Sequence, residues 1–135
     1  MTGRSSVQWL AACAVMLGLG CGDGGPQGGE LTVELVGGSA NLAALSFTLR
    51  AVPPNTIDTA TVACGGCKLF LARVTEGELR GVITGVLASG PLLRVTVSDR
   101  RSPEAYVTQV LEAATQNYTL ASTSGIRIEI PSTRQ

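Results

Sequence analysis

The residues of this chain best equipped for chemistry are Cys64 and Cys67, in the stretch "ACGGCKL" over residues 63–69. Two thiols at this spacing serve a disulfide, a redox couple, half of a zinc site or a haem attachment. Haem attachment needs histidine directly after the second cysteine, and Lys68 stands there. A four-cysteine zinc site needs another such pair, which leaves only metal shared between two copies of the chain. A thioredoxin-type couple needs its first cysteine at a helix N-terminus, which lowers the thiol pKa. Here "KLFLARV" follows, a strand by composition. The pair therefore reads as a structural disulfide, with an exported, redox-active CGGC as the alternative.

Gly-Gly is a favoured two-residue hairpin turn of type I′, because glycine tolerates the positive φ that both central positions require. Pairing the flanks in that register sets Cys64 opposite Cys67, Val62 opposite Leu69 and Ala60 opposite Leu71. All six lie on one apolar face, and Lys68 points to the other. The expectation is a disulfide at the tip of a hairpin. A loop this short gains only about 2 kcal/mol on the chain-entropy formula.

Little else in the chain suggests catalysis. It contains no histidine, which excludes the usual Ser-His-Asp triad, the Cys-His dyad and histidine-based zinc sites. Beyond residue 30 the only aspartates are Asp58 and Asp99, and no calcium-loop spacing occurs. No cofactor and no enzymatic activity are expected. Ten basic residues balance ten acidic ones, so no basic surface points to nucleic acid. "SDRRSPE" sets Arg100 beside Arg101, a candidate grip for an acidic ligand whose plainer reading is a solvated turn. Past the N-terminal segment the aromatics are Phe47, Phe70, Tyr106 and Tyr118, a thin supply for a sugar-stacking platform. "NYT" at Asn117 has the form of a glycosylation acceptor and reads as a strand end.

The elements that carry these residues have period two from Leu31 onward. "LTVELV" turns Leu31, Val33 and Leu35 to one face. "LAALSFTLRA" does the same with Ala43, Leu45, Phe47, Leu49 and Ala51. "PLLRVTVSD" offers Leu93, Val95 and Val97, and "GIRIEI" offers Ile126, Ile128 and Ile130. "DTATVAC", "CKLFLARVT" and "ELRGVITGVLA" lie between them. "AYVTQVLEAAT" also fits helical spacing, but Tyr, Val and Thr in its first half favour a strand. Gly81 and Gly85, inside one apolar run, suggest a bulge or a close inter-sheet approach. Turn residues separate the runs, so the fold class is all-β, an antiparallel sandwich of seven or eight strands. In layout it resembles the immunoglobulin-like and cohesin-like sandwiches of extracellular bacterial proteins; "GVLASGPLLRVTV" is similar to a strand-turn-strand of cohesins. Recognition would fall to loops 52–58 and 99–105.

The N-terminus is an address. Arg4 precedes an apolar run from Val7 to Leu19, too short to span a bilayer and shaped like a secretory signal. "LGLGC" then ends at Cys21 and resembles a bacterial lipoprotein signal, with Gly18 where the family pattern has Leu, Val or Ile. The rival "LAAC", ending at Cys13, would leave the apolar "AVMLGLG" on the mature protein; an unlipidated secretory signal is the plainer alternative. The resemblance implies acylation of Cys21, insertion in a bilayer and a bacterial cell-envelope location. Residues 1–20 read as the signal, 21–30 as a Gly-rich flexible tether, and 31–135 as one sandwich domain. An oxidising compartment agrees with a Cys64–Cys67 disulfide. The domain is expected to be monomeric, with a protein or a surface polymer as its partner.

Overall fold

The computed structural model describes residues 25–39 and 41–132. The expected signal over residues 1–20, with Cys13, and the expected acylation position Cys21 lie outside them. Nine strands follow one another: β1 (Gly29–Val36), β2 (Leu42–Ala51), β3 (Ile57–Val62), β4 (Lys68–Thr75), β5 (Glu78–Thr84), β6 (Gly90–Val97), β7 (Tyr106–Thr115), β8 (Leu120–Ala121) and β9 (Arg127–Glu129). The one helical turn among the described residues is the 3₁₀ segment Pro103–Ala105. The strands form two antiparallel sheets, in the orders β3-β6-β1-β9 and β4-β5-β2-β7-β8. This is the all-β sandwich expected from the period-two pattern. The strand beyond the expected seven or eight is β8, too short to leave a pattern.

The inner faces meet as the alternation requires. Val33, Leu35, Leu93, Val95 and Val97 of one sheet and Leu45, Phe47, Leu49, Leu79 and Ile83 of the other are all buried. Burying a side chain of this kind contributes about 1.5–3 kcal/mol. Parity slips once in β2, where the register to β7 shifts between Leu42 and Ala44. Leu42 is therefore buried, and Ala43, expected inside, is half-exposed.

Both glycines of the β5 run serve close approach. Gly81 lies between Phe47 on β2 and Leu71 on β4, on the inner face. A Cβ there would stand 2.5 Å from Phe47 Cζ, so the ring occupies the space a side chain would need. Gly85, just past β5 at φ 141°, lies against Cys67. The strand itself ends at Thr84, and Leu87, buried beyond it, serves the crossing to β6.

The expected hairpin across Gly65-Gly66 does not form. β3 pairs with β6 and β4 pairs with β5, so the turn carries the chain from one sheet to the other. Only Gly66 has a positive φ, 76°, whereas a type I′ turn requires it at both central residues. Positive φ at the third of four residues is the requirement of a type II turn. Only β4–β5 and β7–β8 connect consecutive strands within one sheet; every other connection crosses the sandwich.

Candidate functional site

The crossing turn holds its two cysteines joined, with S–S at 2.11 Å and Cα atoms 5.7 Å apart. Both are half-buried and pack against the core. The Ala63 N–H donates to the Leu92 carbonyl at 2.9 Å, tying the turn to β6. On the other side a Cβ on Gly85 would meet Cys67 Sγ at 3.2 Å. Lys68 is exposed and paired with Thr84 on the outer face, away from the sulfurs, as the alternation predicts. No helix follows Cys67, so no helix dipole acts on either sulfur.

Arg73 reinforces the same side of the sandwich. It occupies an inward position of β4, opposite Leu79. Its Nη2 donates to the Ile57 carbonyl at 2.9 Å and to the Asp58 carbonyl, both on β3. Its Nη1 donates to the carbonyls of Thr75 and Glu76. β3 and β4 are thus linked across the sheets by the disulfide turn at one end and a guanidinium at the other. A charged residue at an inward position of "KLFLARVT" is the sequence signal for this link.

The two loops singled out for recognition lie together at the far end. Thr56 N–H donates to Ser98 Oγ at 2.8 Å, Ser98 N–H to the Thr56 carbonyl at 3.1 Å, and Val52 N–H to the Ala105 carbonyl at 2.8 Å. Asp99 organises the second loop. Its Oδ1 accepts from the backbone N–H of Arg101 at 3.0 Å and of Gln27 at 3.3 Å, and its Oδ2 accepts from Ser102 Oγ at 3.0 Å. The N–H groups of Arg101 and then Gln27 hold its carboxyl below the usual carboxylate range, helped by Ser102 and the Arg101 charge. Tyr106, buried at the start of β7, closes the corner. Its hydroxyl accepts from Asp99 N–H and donates to the Asp99 carbonyl, both at 3.0 Å. A tyrosine tied back to upstream backbone at such a crossing is a recurring device of immunoglobulin-like sandwiches.

Arg100 and Arg101 stand on this loop. Arg100 N–H donates to the Gln27 carbonyl at 2.7 Å, and its side-chain stem covers the Gly29 backbone. With Gln27, Glu30, Leu31 and Pro103 the two arginines line a polar hollow of about 420 Å³. A larger groove of about 720 Å³ lies nearby, between loop 52–56 and the β4–β5 turn. The Arg50–Glu78 ion pair at 3.1 Å already satisfies charge on its wall. Tyr118 is fully exposed in the β7–β8 turn, well away from the arginines in the chain. Among the described residues, no group of three or more Cys, Asp or Glu could hold a metal ion. No helix of the described residues is long and apolar enough to cross a membrane. Comparison with protein-family models, curated proteins and solved structures found no match.

Proposed function

We propose that this chain is a lipid-anchored, extracytoplasmic protein of a bacterial cell envelope, whose β-sandwich is a non-catalytic binding or structural module. Cys21 carries the acyl chains, and the Gly-rich segment after it links the domain to the bilayer. Several acyl chains hold a protein stably where one holds only marginally. The observation that carries this reading is the allocation of cysteines. One follows an apolar signal-like run, and the two in the domain are spent on each other at a half-buried crossing turn. Recognition is assigned to the end of the sandwich where loops 52–56 and 98–105 meet, with Arg100 and Arg101 facing an acidic group of a protein or surface polymer. The redox alternative has less support, because Lys68 points away and no helix follows the pair.

The test is Cys21→Ala with labelled fatty acid and membrane fractionation. The variant is expected to lose both label and membrane association while the domain keeps its β-type circular dichroism. Acylation that persists in the variant would overturn the assignment of Cys21 and transfer it to Cys13.

A further inference from the structure

One aromatic residue of the domain is held in a strained backbone conformation and buries nothing. Tyr118, in the β7–β8 turn, has φ 61° and is 98 % exposed. Left-handed backbone is unfavourable for a bulky side chain and persists only where something else compensates. No packing of the ring compensates here. Every other described residue with a positive φ is a glycine: Gly37, Gly66, Gly85 and Gly90. The turn is fixed by its flanks. Tyr118 N–H donates to the Thr115 carbonyl at 3.1 Å, Thr115 N–H donates to the Thr119 carbonyl at 2.9 Å, and the two threonine hydroxyls lie 2.7 Å apart.

The surroundings of the ring are polar and uncharged. Connections 37–41, 63–67, 85–89, 116–119 and 122–126 meet at the disulfide end of the sandwich. Gln116 N–H donates to the Asn41 carbonyl at 2.9 Å, and Gly38 N–H donates to Ser89 Oγ at 3.0 Å. Gly85 lies against Cys67, and Gly37 lies against Gly125. None of these five connections contains Asp, Glu, Lys or Arg, whereas 98–105 at the opposite end holds Asp99, Arg100, Arg101 and Glu104. Asn117 precedes Tyr118, Asn41 is bonded to Gln116, and both asparagines are exposed. A side-chain amide both donates and accepts, as a sugar hydroxyl does.

We propose that this end of the sandwich binds an uncharged saccharide, with the Tyr118 ring stacked on the apolar face of a sugar and the amides of Asn41 and Asn117 bonded to its hydroxyls. Tyrosine suits the role because it joins a flat apolar face to a polar tip. A charged ligand would find no counter-charge in these five connections. A wholly apolar ligand would strip water from the amides without replacing their hydrogen bonds. Neutral, ring-shaped and rich in hydroxyls is the chemistry that remains. The binding is weak, because a single ring supplies the stack. The site is separate from the arginine loop at the opposite end, and it does not depend on the anchor.

The experiment is titration calorimetry of the full chain, in micelles of a detergent without a sugar headgroup, against hexasaccharides of glucose, of mannose and of N-acetylglucosamine. At least one of the three is expected to bind with a Kd of about 1 mM or tighter. Tyr118→Gly should weaken that binding at least about tenfold, while its urea midpoint stays the same or rises, because glycine accepts the left-handed backbone. Tyr118→Phe keeps the ring and should keep the binding. Raising salt from about 0.1 M to about 1 M should leave the affinity unchanged, since no charge is engaged. A chain that binds none of the three overturns the proposal. So does binding that is indifferent to Tyr118→Gly, lost in Tyr118→Phe or weakened by salt. A fall in the urea midpoint of Tyr118→Gly would also overturn it, by making the tyrosine a structural residue.

Discussion

The two ends of the sandwich are closed by different means. At one end the chain crosses between sheets through a covalent bond that spans a very short loop. At the other it crosses through a longer loop drawn in by Asp99 and a buried tyrosine. The disulfide is the feature that stands out in the sequence, yet it closes a loop whose ends the turn already brings near. Tyr106 closes nothing covalently, but it combines aromatic burial with two hydrogen bonds to a backbone seven residues away. The comparison teaches that conspicuous chemistry and mechanical importance need not coincide. Here the weight should fall on the tyrosine.

The largest effect is expected from Tyr106→Ala. Loss of a buried aromatic costs about 3–5 kcal/mol, and the freed Asp99 backbone groups lose their partner as well. Urea unfolding followed by circular dichroism should show the midpoint fall steeply. The Cys64→Ala/Cys67→Ala double variant should lose no more than about 2 kcal/mol in the same measurement. A double variant that is destabilised more than Tyr106→Ala would reverse the ranking of the two ends.

The smallest effect sharpens the comparison by pH. Because the folded-state carboxyl of Asp99 titrates below its usual range, its contribution is fully present above that range. It is lost as pH falls through the folded-state value. The stability difference between the unaltered chain and Asp99→Asn should therefore be constant near neutral pH and shrink in acid. The disulfide does not titrate, so the stability difference for the cysteine double variant should lack this acid-dependent component. A difference for Asp99→Asn that stays flat into acid would remove Asp99 from the account of that end.

Most of the architecture was legible because alternation survives wherever one face of a strand is buried. Leu93, Val95 and Val97 show it against Arg94 and Thr96, with Leu92 also buried where the register to β1 shifts, and Tyr106 to Thr115 resolved as a strand on composition. Sheet membership was not legible. The pattern around Gly65-Gly66 sets the same residues inward whether β4 continues beside β3 or crosses to the facing sheet, so it decides parity and nothing more. What decides membership is non-local: Val62 meets Leu93, and Leu69 meets Ile83. The loops over 52–58 and 99–105 were legible from their turn residues, but their joining was not, since it depends on backbone groups and one serine hydroxyl that carry no distinctive signature. Asp99 and Tyr106 escaped for a related reason. An aspartate followed three residues later by serine is a common turn, and only the fold shows which tyrosine reaches it.

One further consequence follows from the pairing of β1 with β9, in which Glu34 to Val36 lie beside Arg127 to Glu129. The first strand of the domain takes its neighbour from the last. The chain also alternates between sheets at nearly every connection, so most of its ladders join segments distant in sequence. High contact order of this kind slows folding to milliseconds or seconds, because loop-closure entropy is lost before the long-range contacts can offset it. The four-stranded sheet cannot be completed until β9 is free to return to β1, so a chain emerging N-terminus first must wait for its ninth strand.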